Sequence, residues 1–122
     1  MVESPNFKFA SKTLKEETFK KTTENYENYS LNIKIKDNNS IYISLKFDED
    51  DKIYEDIKFY ENIKKKHTYF EDYSLEEIYD ELNDLISKNN IEIKRNYEQI
   101  LFNIILPFKK RKHLILYYKL TN

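Results

Sequence analysis

The chain has no cysteine, no glycine and no tryptophan, and only two prolines and one methionine among its 122 residues. The missing cysteine excludes disulfides, thiol catalysis and thiolate metal sites, and it accords with a reducing compartment. The missing glycine excludes more. An average chain of this length carries about eight. Phosphate-cradling loops, dinucleotide fingerprints and nucleophile elbows all need glycine at fixed positions. Where the backbone must take a positive φ, asparagine has to serve instead. Long apolar runs are also missing: none approaches a membrane span of about 20 residues. The N-terminal MVESPNFKFASK has no apolar signal-peptide centre, so an intracellular, cytoplasmic protein without a membrane partner is expected. Charge of one sign is lacking as well. With 21 basic and 22 acidic residues the net charge is −1, and an electrostatic partner has to be met by a local patch.

What is present describes one globular domain over residues 1–122, 39% hydrophobic and 35% charged. Ile, Lys, Asn and Tyr dominate, all residues with AT-rich codons, so abundance of Asn and Lys is not read as function. The stretch YSLEEIYDELNDLISKNN predicts a helix: Leu75, Ile78, Tyr79, Leu82, Leu85 and Ile86 recur on one face. Ser74 with Glu77 reads as a capping box, Tyr73 as a staple onto Ile78, and Asn89-Asn90 as a left-handed stop. SLNIKIKDNNSIYISLKF predicts a hairpin with its turn at Asp37-Asn38-Asn39-Ser40. IEIKRN, QILFNIILPF and HLILYYKL predict a three-strand meander. The middle strand is apolar on both faces, which predicts a central, buried position, and Pro107 marks its end. Between these parts, KIYEDIKFYENIKKKHTYF reads as a brief strand followed by a short helix. Residues 7–29 are Thr-rich and read as edge strands. The expected fold class is strand-dominated α+β: an antiparallel β-sandwich or β-barrel-like head, ordered β-hairpin, one or two inserted helices, three-strand meander.

Catalytic chemistry is not apparent. The two histidines, His67 and His113, have no carboxylate or imidazole at ligand spacing. The acidic run at 48–51 lacks the spacing and glycine of a calcium loop. No serine is set beside a base and an orienting acid. A non-enzymatic protein is therefore expected, with no catalytic residue, no metal, no cofactor and no small-molecule substrate. Two basic clusters offer a nucleic-acid or partner patch: Lys64, Lys65 and Lys66, and Lys109, Lys110, Arg111 and Lys112, with 19 tyrosines and phenylalanines as potential stacking platforms. The second cluster also matches a nuclear-import pattern, and a basic hairpin tip equally serves to block edge pairing.

Residues 108–116, FKKRKHLIL, resemble a hairpin in the globular head of the centriolar cartwheel protein of the spindle-assembly-abnormal type. Phe108, Lys109, His113, Leu114 and Leu116 stand in the matching order, preceded by Pro107. LNIKIKDNNSIYISL resembles that family's strand, acidic turn and aromatic strand. YFEDYSLEEIYDELNDLI resembles its aromatic-rich segment and helix, so element order agrees over about residues 28–120. The chain departs from the family in having no glycine, a heavier basic run, and no coiled coil before its last residue, Asn122. The resemblance implies a fold shared with coiled-coil scaffolds of DNA end joining, and an N-terminal head of a longer coiled-coil protein. It also implies self-association, with Phe108 as a plug entering a neighbour's apolar pocket, Pro107 before it, and Lys109 and Lys110 on the rim. A cytoskeletal location at the centrosome or basal body would follow. Three readings stay open: a self-associating scaffold, a nucleic-acid-binding scaffold, and a small effector or inhibitor that binds another protein. Phe108 itself reads either as the plug or as a strand-end residue packed on its own sheet.

Overall fold

Residues of alternating polarity pair in a register that brings the apolar ones together. In a computed structural model, which describes residues 13–95, 99–107 and 114–121, β2 (Asn28–Lys36) and β3 (Ser40–Phe47) form the expected hairpin. Leu31 faces Leu45, Ile33 faces Ile43 and Ile35 faces Ile41 across the pair. All six are buried, while the intervening Asn32, Lys34, Tyr42 and Ser44 point to the other side, as a period of two requires. The turn takes positive φ at Asp37 (54°) and Asn38 (57°). The Asn39 amide closes it by donating to the Lys36 carbonyl at 3.2 Å.

The helix α2 (Leu75–Ser87) starts and stops where its caps place it. Ser74 Oγ accepts from the Glu77 amide at 3.1 Å, and Glu77 Oε1 accepts from the Ser74 amide at 2.8 Å. At the other end Asn89 sits at φ 63°. Its amide donates to the Ile86 carbonyl and that of Asn90 to the Leu85 carbonyl, the bonding pattern of a Schellman stop with asparagine in the glycine position. All six apolar residues of the predicted face are buried. Before it, β4 (Tyr54–Phe59) runs straight into the short helix α1 (Tyr60–Lys66). A 3-10 turn at Thr68–Phe70 then leads to α2. There Tyr69, Phe70 and Tyr73 pack with ring centroids 5.0 to 5.8 Å apart, joining the two helices.

Seven antiparallel strands form one curled, half-barrel sheet in the order β1-β2-β3-β4-β7-β6-β5. The other four are β1 (Thr13–Thr22), β5 (Ile91–Arg95), β6 (Gln99–Leu106) and β7 (Leu114–Thr121). The curl is deep enough that α2 touches both β2 and β6, so the helix fills the concave side. β1 is an edge strand, as expected. The lips of the curl are tied by Arg95, whose guanidinium meets Glu27 at 2.7 Å and Asp50 at 3.6 Å and lies 4.2 Å from the Phe47 ring centroid.

Two expectations need correction. β6 is an interior strand, paired with β7 and β5 as the middle of the meander, but it is second from the β5 edge and its second face, apart from the buried Asn103, is only partly covered. Ile100, Phe102, Ile104 and Leu106 are in the core, whereas Leu101 and Ile105 are half-exposed. The curl wraps its contents on a single side, so the convex face has no second layer among the described residues. The expected edge strands of residues 7–29 amount, among the described residues, to β1 and the start of β2.

The lack of glycine leaves L-residues at left-handed positions, which costs about 1–2 kcal/mol where the side chain gives no local help. Tyr26 is such a residue, at φ 64° and 87% exposed. Tyr26→Asn should therefore stabilise the fold by about 1 kcal/mol, and Asn89→Ala should destabilise it by about as much. Urea unfolding midpoints at an unchanged slope measure both.

Candidate functional site

Three segments meet at one end of the sheet. Ser40 pairs with Phe59, and the Tyr60 amide donates to the Asn39 carbonyl at 2.8 Å. The β2–β3 turn and α1 are thus neighbours. β7 runs antiparallel to β4 from their pair Glu55–Thr121, and Leu114 pairs with Leu106. The chain therefore leaves β6 and re-enters β7 toward that same end. Pro107 is exposed there. Phe108, Lys109, Lys110, Arg111 and Lys112 lie outside the described residues, and so does His113.

On α1, Lys65 and Lys66 are exposed and Lys64 is half-buried, its ammonium 4.2 Å from the Tyr60 ring centroid. The α1 cluster and the two strand ends flanking the second basic cluster therefore share one end of the sheet. Lys34 and Lys36 add to it from the convex face, their ammoniums 4.9 and 5.1 Å from the Tyr42 ring. The Tyr42 hydroxyl donates to Glu55. Burial first, and then that bond, push the phenol up to about 12, so it remains a neutral donor.

β4 departs from simple alternation in a way the sequence only half shows. Tyr54 is buried, yet the next residues of the same parity are charged: Asp56 and Lys58 pair at 3.5 Å. Ile57 and Phe59, of the opposite parity, are 38% and 46% exposed. The strand thus leaves the core after Tyr54 and presents its apolar residues outward. Beside them is a cleft of about 160 Å³, lined by Ile57, Lys58, Phe59, Ile63, Lys66 and His67 among others. It combines an apolar floor with a cationic rim. The period-two pattern of IKF was its signal, obscured by Tyr60 and Ile63 in helical register behind it.

A second, larger depression was not foreseen. Because α2 lies over β2 and β6, the concave side of β1 runs beside the helix rather than beneath it. The groove between them has a volume of about 600 Å³. Phe19 and Tyr79 supply its aromatic surface, and Glu17, Asp80 and Asp84 its carboxylates, while the Glu16 carboxylate accepts from Asn32 on the other face of the sheet. Lys15 is the one basic residue in its wall among the described residues. Its ammonium pairs with Asp80 at 3.3 Å and Glu76 at 3.9 Å and stands 5.7 Å from the Tyr79 ring centroid. Asn83, also in the wall, donates its amide to the Tyr79 carbonyl at 2.9 Å. Its Oδ1 is buried without a hydrogen-bond partner, which costs about 1–3 kcal/mol when left so. In the sequence the acids of α2 read first as the polar face of an amphipathic helix and only second as a partner surface. Their grouping with Glu17, more than fifty residues away, appears only once β1 is placed.

Neither family models, nor curated proteins, nor solved structures yield a match to this chain. Functional inference therefore rests on these surfaces and on the sequence features above. No group of histidines and carboxylates suited to hold a metal occurs among the described residues. Nor is any helix among them long and apolar enough to cross a membrane.

His67 gives the cleft a pH dependence. Burial holds its pKa below the ordinary imidazole value, and the nearby Lys66 and Lys58 lower it further. The unfolded chain therefore takes up this proton first as pH falls. Stability is fully kept above about pH 6.5 and declines between that value and the lower folded one. His67→Gln should flatten this part of the profile while leaving stability at pH 8 nearly unchanged. Urea midpoints from pH 5 to 8 compare the two proteins.

Proposed function

We propose that this chain is a non-enzymatic self-association module of the cartwheel-head kind, in which Phe108 at the tip of the β6–β7 connection is the anchor. Pro107 presets the chain direction before it, and Lys109 and Lys110 flank it. The observation that carries the reading is element order: a strand hairpin, two inserted helices and a three-strand meander. The basic, aromatic-bearing segment joins the last two strands, as the resemblance implies. An aromatic residue seated in a partner's pocket is a common hot spot, and a repeated plug-and-pocket contact builds closed rings or open filaments. The half-exposed Leu101 and Ile105 on the convex face are compatible with a second protein layer. A place in the centrosome or basal body belongs to the same proposal.

One observation favours a second reading. The α1 lysines and the ends of β6 and β7 lie at the same end of the sheet, with Tyr42 and Phe59 nearby. A combined cationic and aromatic surface of this kind suits a single-stranded nucleic acid.

Light-scattering mass across concentration separates the two. Self-association predicts a weight-average mass that rises with concentration, and a loss of at least about tenfold in association constant, roughly 1.4 kcal/mol, on Phe108→Glu. A concentration-independent monomer would contradict it. The second reading predicts that labelled single-stranded DNA or RNA is bound at low salt, and that binding falls steeply with salt and with Lys65→Glu or Lys110→Glu. Absence of binding at low salt removes it.

A further inference from the structure

We infer that the acidic groove between β1 and α2 is the receptor for the basic tip, residues 107–112, of a second copy of this chain. The inference rests on the self-association reading and supplies the acceptor surface which that reading leaves open.

Charge decides between the two depressions. The cleft beside α1 has Lys58, Lys66 and His67 in its rim. A segment carrying Lys109, Lys110, Arg111 and Lys112 would approach it against like charge, so it is a poor acceptor despite its apolar floor. The β1–α2 groove has the opposite balance: among the described residues Glu17, Asp80 and Asp84 line it against the ammonium of Lys15. Asp80 and Asp84 are exposed, as is Glu17. Existing pairs meet part of this charge, and Lys15 engages Asp80 at 3.3 Å. Asp84 is engaged by Lys88 at 2.9 Å. Both are surface contacts of small net strength that an incoming lysine can join or replace.

The groove also shows what it holds. Lys15 places an ammonium between a carboxylate and an aromatic face, the coordination that Lys109 and Lys110 of a second copy would repeat. Phe19 is half-buried, and it and Tyr79 provide apolar surface for the incoming Phe108 ring. The chain is nearly neutral overall, yet its charges are segregated. Cations gather at one end of the sheet and carboxylates along the β1–α2 side. Donor and acceptor are then different surfaces, so each copy can give its tip to one neighbour and take a tip from another.

A charge exchange tests this. Sedimentation velocity is run on the wild type, on the double variant Asp80→Lys/Asp84→Lys, on the double variant Lys109→Glu/Lys110→Glu, and on an equimolar mixture of the two variants. The wild type should associate, and more weakly as salt rises from 50 to 300 mM. Each variant alone should lose association at least tenfold, because the groove variant sets cations against a basic tip and the tip variant leaves residues 109–112 with no net charge. The mixture should recover it through the intact tip of one variant and the intact groove of the other, and far-ultraviolet circular dichroism of each variant checks that both are folded. If the groove variant associates as well as the wild type while Phe108→Glu does not, self-association stands and this receptor is wrong. If the mixture fails to recover association, the pairing of tip and groove is likewise overturned. If the wild type is a monomer at every concentration, the self-association reading itself fails, and the receptor with it.

Discussion

Ile78, Leu82, Leu85 and Ile86 of α2 are wholly or almost wholly buried in the hollow of the sheet, and every other feature follows from this seating. Burying each such side chain contributes about 1.5–3 kcal/mol, comparable in sum with the net stability of a small domain. A flat sheet could not bring β2 and β6 to the same helix. The sheet therefore curls, β1 and β5 become its lips, and Arg95 ties Glu27 and Asp50 across one corner. The caps of α2 set where the helix begins and ends along the hollow. The aromatic cluster of Tyr69, Phe70 and Tyr73 fixes how α1 approaches it. The Tyr69 hydroxyl reaches Glu81 on α2 at 2.8 Å, and burial followed by this bond raises its pKa well above the ordinary phenol range.

The same seating produces the surface features. With the helix over β2 and β6, β1 has a concave side that is only partly covered, and its Lys15, Glu17 and Phe19 face the flank of α2. That flank is acidic because a helix of this polarity must carry its charges away from the core. β4 and α1 collect lysines at the turn end of the hairpin, toward which β6 ends and β7 begins. Charge segregation is thus a by-product of how one amphipathic helix fits one curled sheet. Near-neutral totals conceal it, which is why composition points to no partner.

How much of this was legible in the sequence varies with the range of the interactions concerned. Ser74, Glu77 and Asn89 mark α2 because caps act within a few residues. The β2–β3 hairpin was equally clear, since its turn and its alternation are local. β4 followed by α1 could be read from IKFY and ENIKKK. For β6 the interior position was legible, but Leu101 and Ile105, apolar and suggesting full burial on both faces, are only partly buried. Only the curl, a property of the whole sheet, determines that one of those faces stays outside. The β1–α2 groove was unreadable for the same reason. Lys15 and Asp80 are neighbours through a strand placement that no local pattern encodes, in a segment whose Thr content gave only an edge strand.

Because the natural chain has no cysteine, a single introduced thiol can be labelled without ambiguity. The most direct test attaches a nitroxide at Lys110→Cys in one sample and mixes it with a second, isotopically labelled copy that carries no label. The amide signals of the second copy are then followed for paramagnetic broadening. The account predicts broadening concentrated on residues 15–19 of β1 and 80–87 of α2, fading as salt is raised. Broadening centred on α1 and Phe59, or none at concentrations where the protein associates, would contradict it.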